Sequence, residues 1–287
     1  MAGDTSGAER TLRVVRETLH FGTIVVVGGG CYGSYYVRQL GRALAAGAAT
    51  WSEMVVVDRD AACRVSALPN AEQPPGLRLV IATWEDFFAR YLADASERVA
   101  ETAGDAIVPS PLMPHLMAEW LVRRARARWP WRSVAVEPLA AAPAVPWQMI
   151  GGDGTHYVSF AEWICPINCI EPARCPATKG ARSWSLPPAL AQYAAGERAA
   201  GRPLEGPFVF HCSHRTHGVG MIDVRDVIAA DAAMASLTDS GATTFLVGTA
   251  SHCHGALQRI VIGAQGRANA GLPKCGERSG SPEDFFW

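Results

Sequence analysis

Thiol and imidazole side chains are concentrated in the second half of this 287-residue chain. Six of the eight cysteines and six of the eight histidines lie beyond residue 150. Thiolates and imidazoles are the ligands that zinc, iron–sulfur clusters and other transition-metal centres prefer. Their concentration predicts a metal centre, with redox-active thiols or buried, unreactive cysteines as the alternatives.

Three of these cysteines share one loop, WICPINCIEPARCPATKG, at residues 163–180. Prolines 166, 172 and 176 forbid regular helix and leave an irregular backbone that can direct several side chains inward. Three residues separate the first two cysteines and five the next two, which matches neither zinc ribbons nor the bacterial ferredoxin run, although the Cys-Pro ending is similar to the latter. The predicted metal ligands in this loop are Cys165, Cys169 and Cys175.

Two further apolar runs end in cysteine and histidine, PFVFHCSHRTHGVG after residue 206 and TTFLVGTASHCHG after residue 242. If both are parallel strands, their ends meet at one sheet edge, so either run can supply a fourth metal ligand. Four thiolates suit a [4Fe-4S] cluster or tetrahedral zinc, and the irregular loop favours the cluster, whereas a histidine ligand would favour zinc. The candidate fourth ligands are Cys212 and Cys253, and the predicted catalytic proton carriers are His214, His252 and His254. A surface histidine group without a role is the alternative.

The first half places a strand, a glycine turn and a helix in succession, TIVVVGGGCYGSYYVRQL at residues 23–40. The three spaced glycines match the dinucleotide fingerprint, in which the first allows a tight turn, the second lets backbone approach a pyrophosphate and the third lets helix pack on strand. The pyrophosphate would lie on the free amides of the helix start. A turn that serves packing alone is the alternative. The predicted contacts are Gly28, Gly30, Cys31, Tyr32 and Gly33, with Cys31 as a small residue that fits the turn.

Asp58 ends a second apolar run, 25 positions after Gly33. A carboxylate there would accept hydrogen bonds from ribose hydroxyls and repel a 2′-phosphate, which favours NAD. Arg59 could instead accept the extra phosphate of NADP. Asp58 and Arg59 are therefore predicted cofactor contacts, with NAD preferred over NADP.

Residues 21 to about 60 resemble the opening βαβ unit of Rossmann-type NAD(P)-binding proteins. The segment VVVDRD is similar to the second strand of TrkA-type nucleotide-binding domains and of many dehydrogenases. The strict resemblance covers less than a quarter of the chain, and about half when the following elements are included. It implies a Rossmann-like fold that binds NAD(P), and it names no substrate.

The elements that must position these groups alternate between strand and helix. Further strands are predicted at 77–82, 106–108 and 134–136, with a helix capped by Thr83 and a proline-started helix after residue 108. Five such strands predict an α/β fold with a doubly wound, mostly parallel, Rossmann-like sheet and a Cys/His-rich α/β C-terminal half. His115, after the fourth strand, could face a nicotinamide or substrate, although a structural role is favoured.

The stretch AAAPAVPWQMIGGDG predicts a boundary near residue 150. The expected units are an N-terminal extension at 1–20, a dinucleotide-binding domain at 21–150 and a metal-binding and substrate region at 151–287.

Charge and hydropathy limit the classes of partner that this chain is expected to bind. A net charge of −1 and a pI near 6.7 give no basic field for nucleic acid, and the arginines at 123, 124, 126 and 128 are expected to form a solvated helix end. No apolar run is long enough to span a membrane or to form a signal-peptide core, so a cytoplasmic protein with reduced thiols is expected. The expected partner is a small-molecule substrate, without nucleic acid or membrane, and homo-oligomer formation is left open.

These features together favour an NAD(P)-dependent oxidoreductase whose cysteine-ligated metal centre lies near the nicotinamide. The metal would act as a Lewis acid or serve a structural role, since a cluster accepts one electron at a time and cannot take a hydride directly. The alternative is an NAD(H)- and thiol-dependent redox sensor without catalytic activity. No basic DNA-reading helix that could serve as its output is evident, which favours the enzyme.

Overall fold

The computed structural model describes residues 17–163, 165, 169–237 and 241–264. Residues 1–16 of the expected N-terminal extension and 265–287 of the expected C-terminal region lie outside them. The helices are α1 (Cys31–Ala45), α2 (Trp84–Glu97), α3 (Leu116–Arg128), α4 (Leu186–Ala199) and α5 (Val224–Leu237). The strands are β1 (Leu19–Val27), β2 (Ala49–Asp58), β3 (Leu77–Ile81), β4 (Ala106–Val108), β5 (Val134–Glu137), β6 (Trp147–Ile150), β7 (His156–Ser159), β8 (Glu205–His211), β9 (Ser213–Thr216), β10 (Val219–Asp223), β11 (Thr243–Ala250) and β12 (His254–Ile262).

The first sheet has the strand order β3-β2-β1-β4-β10-β9. Its first four strands are parallel, whereas β10 and β9 each join in antiparallel orientation. The last four residues of β1 are buried, as expected for a strand covered on both faces. Because β1 ends at Val27 and β2 at Asp58, the glycine turn and the predicted acid lie at the same edge of the sheet.

The second sheet has the order β6-β7-β12-β11-β8, and β5 also pairs with β12. β8 and β11 are parallel, as predicted, and the register places His211 beside Ala250. The prediction that 134–136 is a fifth strand of the parallel sheet is wrong, because β5 pairs with β12 in antiparallel orientation. A strand this short carries no sequence signal for its partner, and β12 was not predicted. The fold is therefore a mixed α/β arrangement with two mixed sheets.

The two sheets share one hydrophobic core, and the chain passes from the first sheet to the second, back to the first and again to the second. Buried residues of α3 and α5 pack in a single cluster with Val25 and Ile107 of the first sheet and Phe245 and Ile260 of the second. Helix α1 packs against the other face of the first sheet, and α4 packs with Leu246 and Leu257 of the second. The predicted boundary near residue 150 falls in the turn between β6 and β7.

One helix prediction is confirmed, and a second is modified by the prolines before α3. Thr83 caps α2 as predicted, since its hydroxyl accepts a hydrogen bond of 3.1 Å from the Asp86 amide. The helix expected directly after residue 108 begins instead at Leu116. Prolines at 109, 111 and 114 explain the delay, since each lacks an N–H and disfavours helix in the residue before it.

The arginines near the end of α3 form specific contacts rather than a solvated helix end. Arg124 and Arg128 both bind the buried carboxylate of Asp231 on α5, at 3.2 and 2.7 Å. Arg126 donates to the carbonyl of Val134 at 3.2 Å. Pairing of α3 with α5 thus uses two of the four guanidinium groups.

None of the helices described in this structure is long and apolar enough to cross a membrane.

Candidate functional site

All seven predicted cofactor contacts line one cavity of about 510 Å³, the glycine-turn cavity. It lies at the edge where the parallel strands β1 and β2 end, where ligands bind in open α/β sheets, and its volume suits a small organic ligand. The predicted contacts in its wall are Gly28, Gly30, Cys31, Tyr32, Gly33, Asp58 and Arg59. The wall also contains residues that were not predicted to bind the cofactor, among them Thr83, Trp84, Glu85, Ser110 and Met113.

The three fingerprint glycines have different structural reasons to lack a side chain. Gly28 has a positive φ of 86°, which favours glycine in the turn. A Cβ on Gly33 would lie 1.8 Å from the carbonyl oxygen of Gly28, so helix and turn pack too closely for any side chain. A Cβ on Gly30 would meet no atom within 4 Å, although Gly30 lines the cavity. Internal packing therefore does not require glycine at position 30, which fits a close-approaching ligand.

Asp58 is fixed at the mouth of the glycine turn. Its Oδ2 accepts a hydrogen bond of 2.6 Å from the Gly29 amide, and its Oδ1 accepts one of 2.9 Å from the Asp60 amide. The Trp84 indole donates to the Val57 carbonyl at 3.1 Å, which holds the ring beside the turn. The cavity thus combines a positioned carboxylate with an aromatic face.

Cys165, Cys169 and Cys175 of the cysteine loop and Cys253 of the turn between β11 and β12 influence one another electrostatically, and we call these four residues the thiol cluster. Burial raises the pKa of Cys165, and the neighbouring thiols of Cys169 and Cys175 add to that shift. Burial also raises the pKa of Cys253 to about 12, with a further contribution from Cys165. The loop predicted to bind a metal therefore meets the turn between β11 and β12.

Glu171 joins the loop to that turn, and sequence reasoning did not single it out. Glu171 is only 9% exposed. Its carboxylate accepts hydrogen bonds from the Ser251 hydroxyl at 2.6 Å and from the amides of His252 and Cys253 at 2.8 and 3.1 Å. Burial alone would raise its pKa, but these hydrogen bonds lower it. An ionised Glu171 thus holds Cys253 against the cysteine loop.

Several N–H groups surround the sulfur atoms of the thiol cluster. The amide of Thr178 lowers the pKa of Cys175, and the Trp184 indole donates to Cys253 Sγ at 3.2 Å. The Trp163 indole lowers the pKa of Cys165, yet its Nε1 has no hydrogen-bond partner among the described residues. Donors placed in this way stabilise thiolates and tune metal centres.

Cys212, the other candidate fourth ligand, has different neighbours. Burial raises the pKa of Cys212 to about 12, with a further contribution from Glu171. Cys212 in turn contributes to the raised pKa of Tyr36 on α1. Its amide donates to the Ala250 carbonyl at 2.8 Å, which places it beside β11. Of the two candidates, only Cys253 shows an interaction with Cys165.

The predicted catalytic residues His214, His252 and His254 surround Glu171 together with His211. His252 Nδ1 lies 2.8 Å from the Ser185 hydroxyl and His254 Nδ1 lies 2.9 Å from the Ser159 hydroxyl. Burial lowers the pKa of all four imidazoles, and Glu171 opposes the shift in each. Neutral imidazoles of this kind can accept a proton or a metal ion at neutral pH.

The four cysteines of the thiol cluster do not line the glycine-turn cavity. Among the described residues that line the cavity, the only cysteine is Cys31. None of the five predicted metal ligands and none of the three predicted catalytic histidines lines it.

The chain was compared with models of protein families, with curated proteins and with solved structures. The family model AF_1314_C, described as "Uncharacterized protein, C-terminal domain", matches residues 117–263, slightly more than half of the chain. No curated protein and no solved structure matches the chain. The matched segment contains the whole thiol cluster, whereas the glycine turn precedes it.

Proposed function

The chain belongs to the AF_1314_C family, and from that premise we propose that it is an NAD(P)-dependent oxidoreductase whose family segment carries a cysteine-ligated metal centre. The observation that carries the proposal is the glycine-turn cavity, in which all seven residues predicted to bind the cofactor share one wall. Nothing in the description of the family assigns an activity.

The topology around the cavity supports dinucleotide binding. The parallel strands β3-β2-β1-β4 follow the first four positions of the usual Rossmann order, 3-2-1-4. The pyrophosphate would lie over Gly30 at the start of α1, and Asp58 would meet the ribose of the adenosine half. NAD is the preferred cofactor, and the exposed Arg59 leaves NADP as the second choice.

The thiol cluster supports a metal centre with four cysteine ligands. Tetrahedral zinc, with Zn–S bonds of about 2.3 Å, would need sulfur atoms about 3.8 Å apart. In the described part of the chain the one group of three or more Cys, His, Asp or Glu ligand atoms within 4.8 Å of one another contains no cysteine. No three of these sulfur atoms thus lie within 4.8 Å of one another, and we keep the [4Fe-4S] cluster, which four cysteines also bind, as the preferred centre over zinc.

The chemistry of the two parts limits how they cooperate. A nicotinamide delivers two electrons as one hydride, whereas a [4Fe-4S] cluster accepts a single electron. Because no metal-ligand candidate lines the cavity, the proposed hydride acceptor is an organic substrate bound there, and the proposed metal centre is structural or passes electrons elsewhere. The neutral histidines around Glu171 are the candidates for proton transfer near the metal centre.

A redox sensor is the second candidate. It is favoured by the same separation, because a metal centre that is outside the cofactor cavity can report its state without taking part in hydride transfer. Both candidates require bound NAD(P) and bound metal, but only the enzyme consumes NADH stoichiometrically with a reduced product.

Anaerobic purification of the full chain tests the proposal. We expect a broad absorption near 400 nm, about four iron atoms and four sulfides per chain as a [4Fe-4S] cluster requires, and saturable NADH binding. NADH oxidation with a panel of carbonyl substrates then separates enzyme from sensor. A chain without metal and without nucleotide affinity would contradict both candidates.

Replacing Asp58 with alanine is expected to weaken NAD binding by about 10-fold or more, because hydrogen bonds to a charged group contribute about 1.5–3 kcal/mol each. NADP affinity should change less, and the metal content should stay the same. The measurement is calorimetric titration of both nucleotides.

The matched control is Asp60→Ala, which removes an exposed carboxylate two residues away that does not line the cavity. Its NAD affinity should stay within about twofold of the unchanged chain. Equal affinity of the Asp58 variant and this control would refute the ribose contact.

A further inference from the structure

A second group of candidate metal ligands lies at the start of α3. His115 caps this helix, Glu119 lies one turn later, and Asp153 lies in the turn between β6 and β7. One ligand atom of each lies within 4.8 Å of the other two, and no other such trio occurs in the described ranges. His115 Nε2 is 3.2 Å from Glu119 Oε1, because residues four apart share a helix face. We call these three residues the His–Glu–Asp cluster.

A hydrogen-bond chain fixes Asp153 and leads to Gln258 on β12. The Thr155 hydroxyl donates to Asp153 Oδ2 at 2.8 Å, and Gln258 Nε2 donates to that hydroxyl at 2.9 Å. Burial would raise the pKa of Asp153, but the hydrogen bonds from Thr155 lower it. The Thr155 hydroxyl has only one proton, which goes to the carboxylate, so the nitrogen of the Gln258 amide must face it.

The oxygen of the Gln258 amide therefore takes no part in this chain of hydrogen bonds. Gln258 is 3% exposed, and its Oε1 has no hydrogen-bond partner among the described residues. The same holds for Nδ1 of His115, a side chain that is 12% exposed. Buried polar atoms nearly always have partners, so the unpartnered Gln258 oxygen, in a wall that Gln258 shares with Glu119 and Asp153, indicates a ligand that the protein itself does not supply.

Gln258 lines a cavity of about 340 Å³ together with Glu119 and Asp153. Glu85, Arg123 and Arg126 also line it, but both guanidinium groups have partners. Arg123 lies 3.8 Å from Glu85, and Arg126 donates to a backbone carbonyl. Both keep their positive charge, but among the described residues neither forms an ion pair with the carboxylate of Glu119 or Asp153.

We propose that the His–Glu–Asp cluster, together with the amide oxygen of Gln258, binds a divalent cation of the Mn²⁺ type. Carboxylate and amide oxygens suit Mn²⁺, Mg²⁺ and Ca²⁺, whereas an imidazole favours transition metals, so the mixed set selects Mn²⁺ among the hard cations. This site is distinct from the thiol cluster, whose sulfur ligands suit softer metals. It does not depend on the proposed NAD(P) activity.

The position of the site suggests what the cation would do. Glu85 and Met113 line both this cavity and the glycine-turn cavity, so the two adjoin. A cation bound here would stand beside the ligand of the first cavity and could bind an oxygen of a substrate or a phosphate there.

Titration of the full chain with Mn²⁺, followed by the loss of the electron paramagnetic resonance signal of the free ion, tests the site. Mn²⁺ is the suitable probe because thiolates bind it weakly. We expect one ion per chain, and Glu119→Gln and Asp153→Asn should each weaken its binding by about 10-fold or more, at least as much as loss of an outer-shell partner.

Asp94→Asn is the matched control, because it removes an exposed carboxylate of α2 that does not line this cavity. Its Mn²⁺ affinity should stay within about twofold, since a solvent-exposed charge outside the cavity acts only through a screened field. Absence of saturable binding, or an equal loss in Asp94→Asn, would overturn the proposal. If Asp153→Asn destabilises the hairpin turn, Glu119→Gln decides alone.

Discussion

Cys253→Ser is expected to remove the metal from the chain, with less than about one tenth of the iron or zinc retained, because one lost thiolate opens a four-ligand site. Nucleotide affinity should be unchanged, since Cys253 does not line the glycine-turn cavity. The effect is expected to be large because Cys253 is the proposed ligand from the β11–β12 turn, and Glu171 holds that turn against the cysteine loop. The measurement is metal and sulfide analysis after anaerobic purification, with the visible spectrum.

Cys212→Ser is the matched control. Cys212 is also a buried thiol near Glu171 with a pKa raised to about 12, but it interacts with Tyr36 rather than with Cys165. It should retain its metal. Full metal content in Cys253→Ser, or equal loss in both variants, would contradict the assignment of Cys253 as the fourth ligand.

Segments with strong local signals could be predicted from the sequence. The run at 23–27, the glycines and the apolar spacing after Tyr35 define β1, the turn and α1 through neighbouring residues alone. Asp58 follows from the same unit, because a parallel βαβ unit must bring the ends of β1 and β2 together. The seven predicted contacts of the cavity wall could therefore be listed from the sequence, whereas the residues that follow β3 and β4 could not.

Contacts that depend on the pairing of short strands could not be predicted. β9 has four residues, all of them polar or charged, and shows no strand pattern. It joins β10 and extends the first sheet, whereas β5 leaves for the second sheet. No local pattern records these choices, because they are decided by burial against elements far away in the chain.

The candidate sites show the same division. The cysteines of the loop could be singled out by residue type, but the choice between Cys212 and Cys253 needed the turn that Glu171 binds. Glu171 itself looked like an ordinary acid between prolines. Asp153 could not be predicted as a candidate ligand either, because the pairing of β6 with β7 forms the turn that places it at the start of α3.

The two glycines Gly30 and Gly33 are expected to respond to alanine in opposite ways. Gly33→Ala should lower the free energy of unfolding by about 3 kcal/mol, the upper range for overpacking, because its Cβ would lie 1.8 Å from the Gly28 oxygen. That loss corresponds to a melting temperature lower by about 6–12 °C. Gly30→Ala should change stability by less than about 1 kcal/mol, the cost of alanine at a helix N-cap.

For NADH affinity, the large effect is expected in Gly30→Ala. The methyl group of Gly30→Ala would enter the cavity where the pyrophosphate backbone contact is proposed, so NADH binding should weaken by about 10-fold or more, a loss of about 1.4 kcal/mol. The measurements are thermal unfolding and NADH titration of both variants. A Gly30→Ala chain that is stable and binds NADH with unchanged affinity would refute the proposed contact between the pyrophosphate and Gly30, because the added methyl group would meet the ligand there.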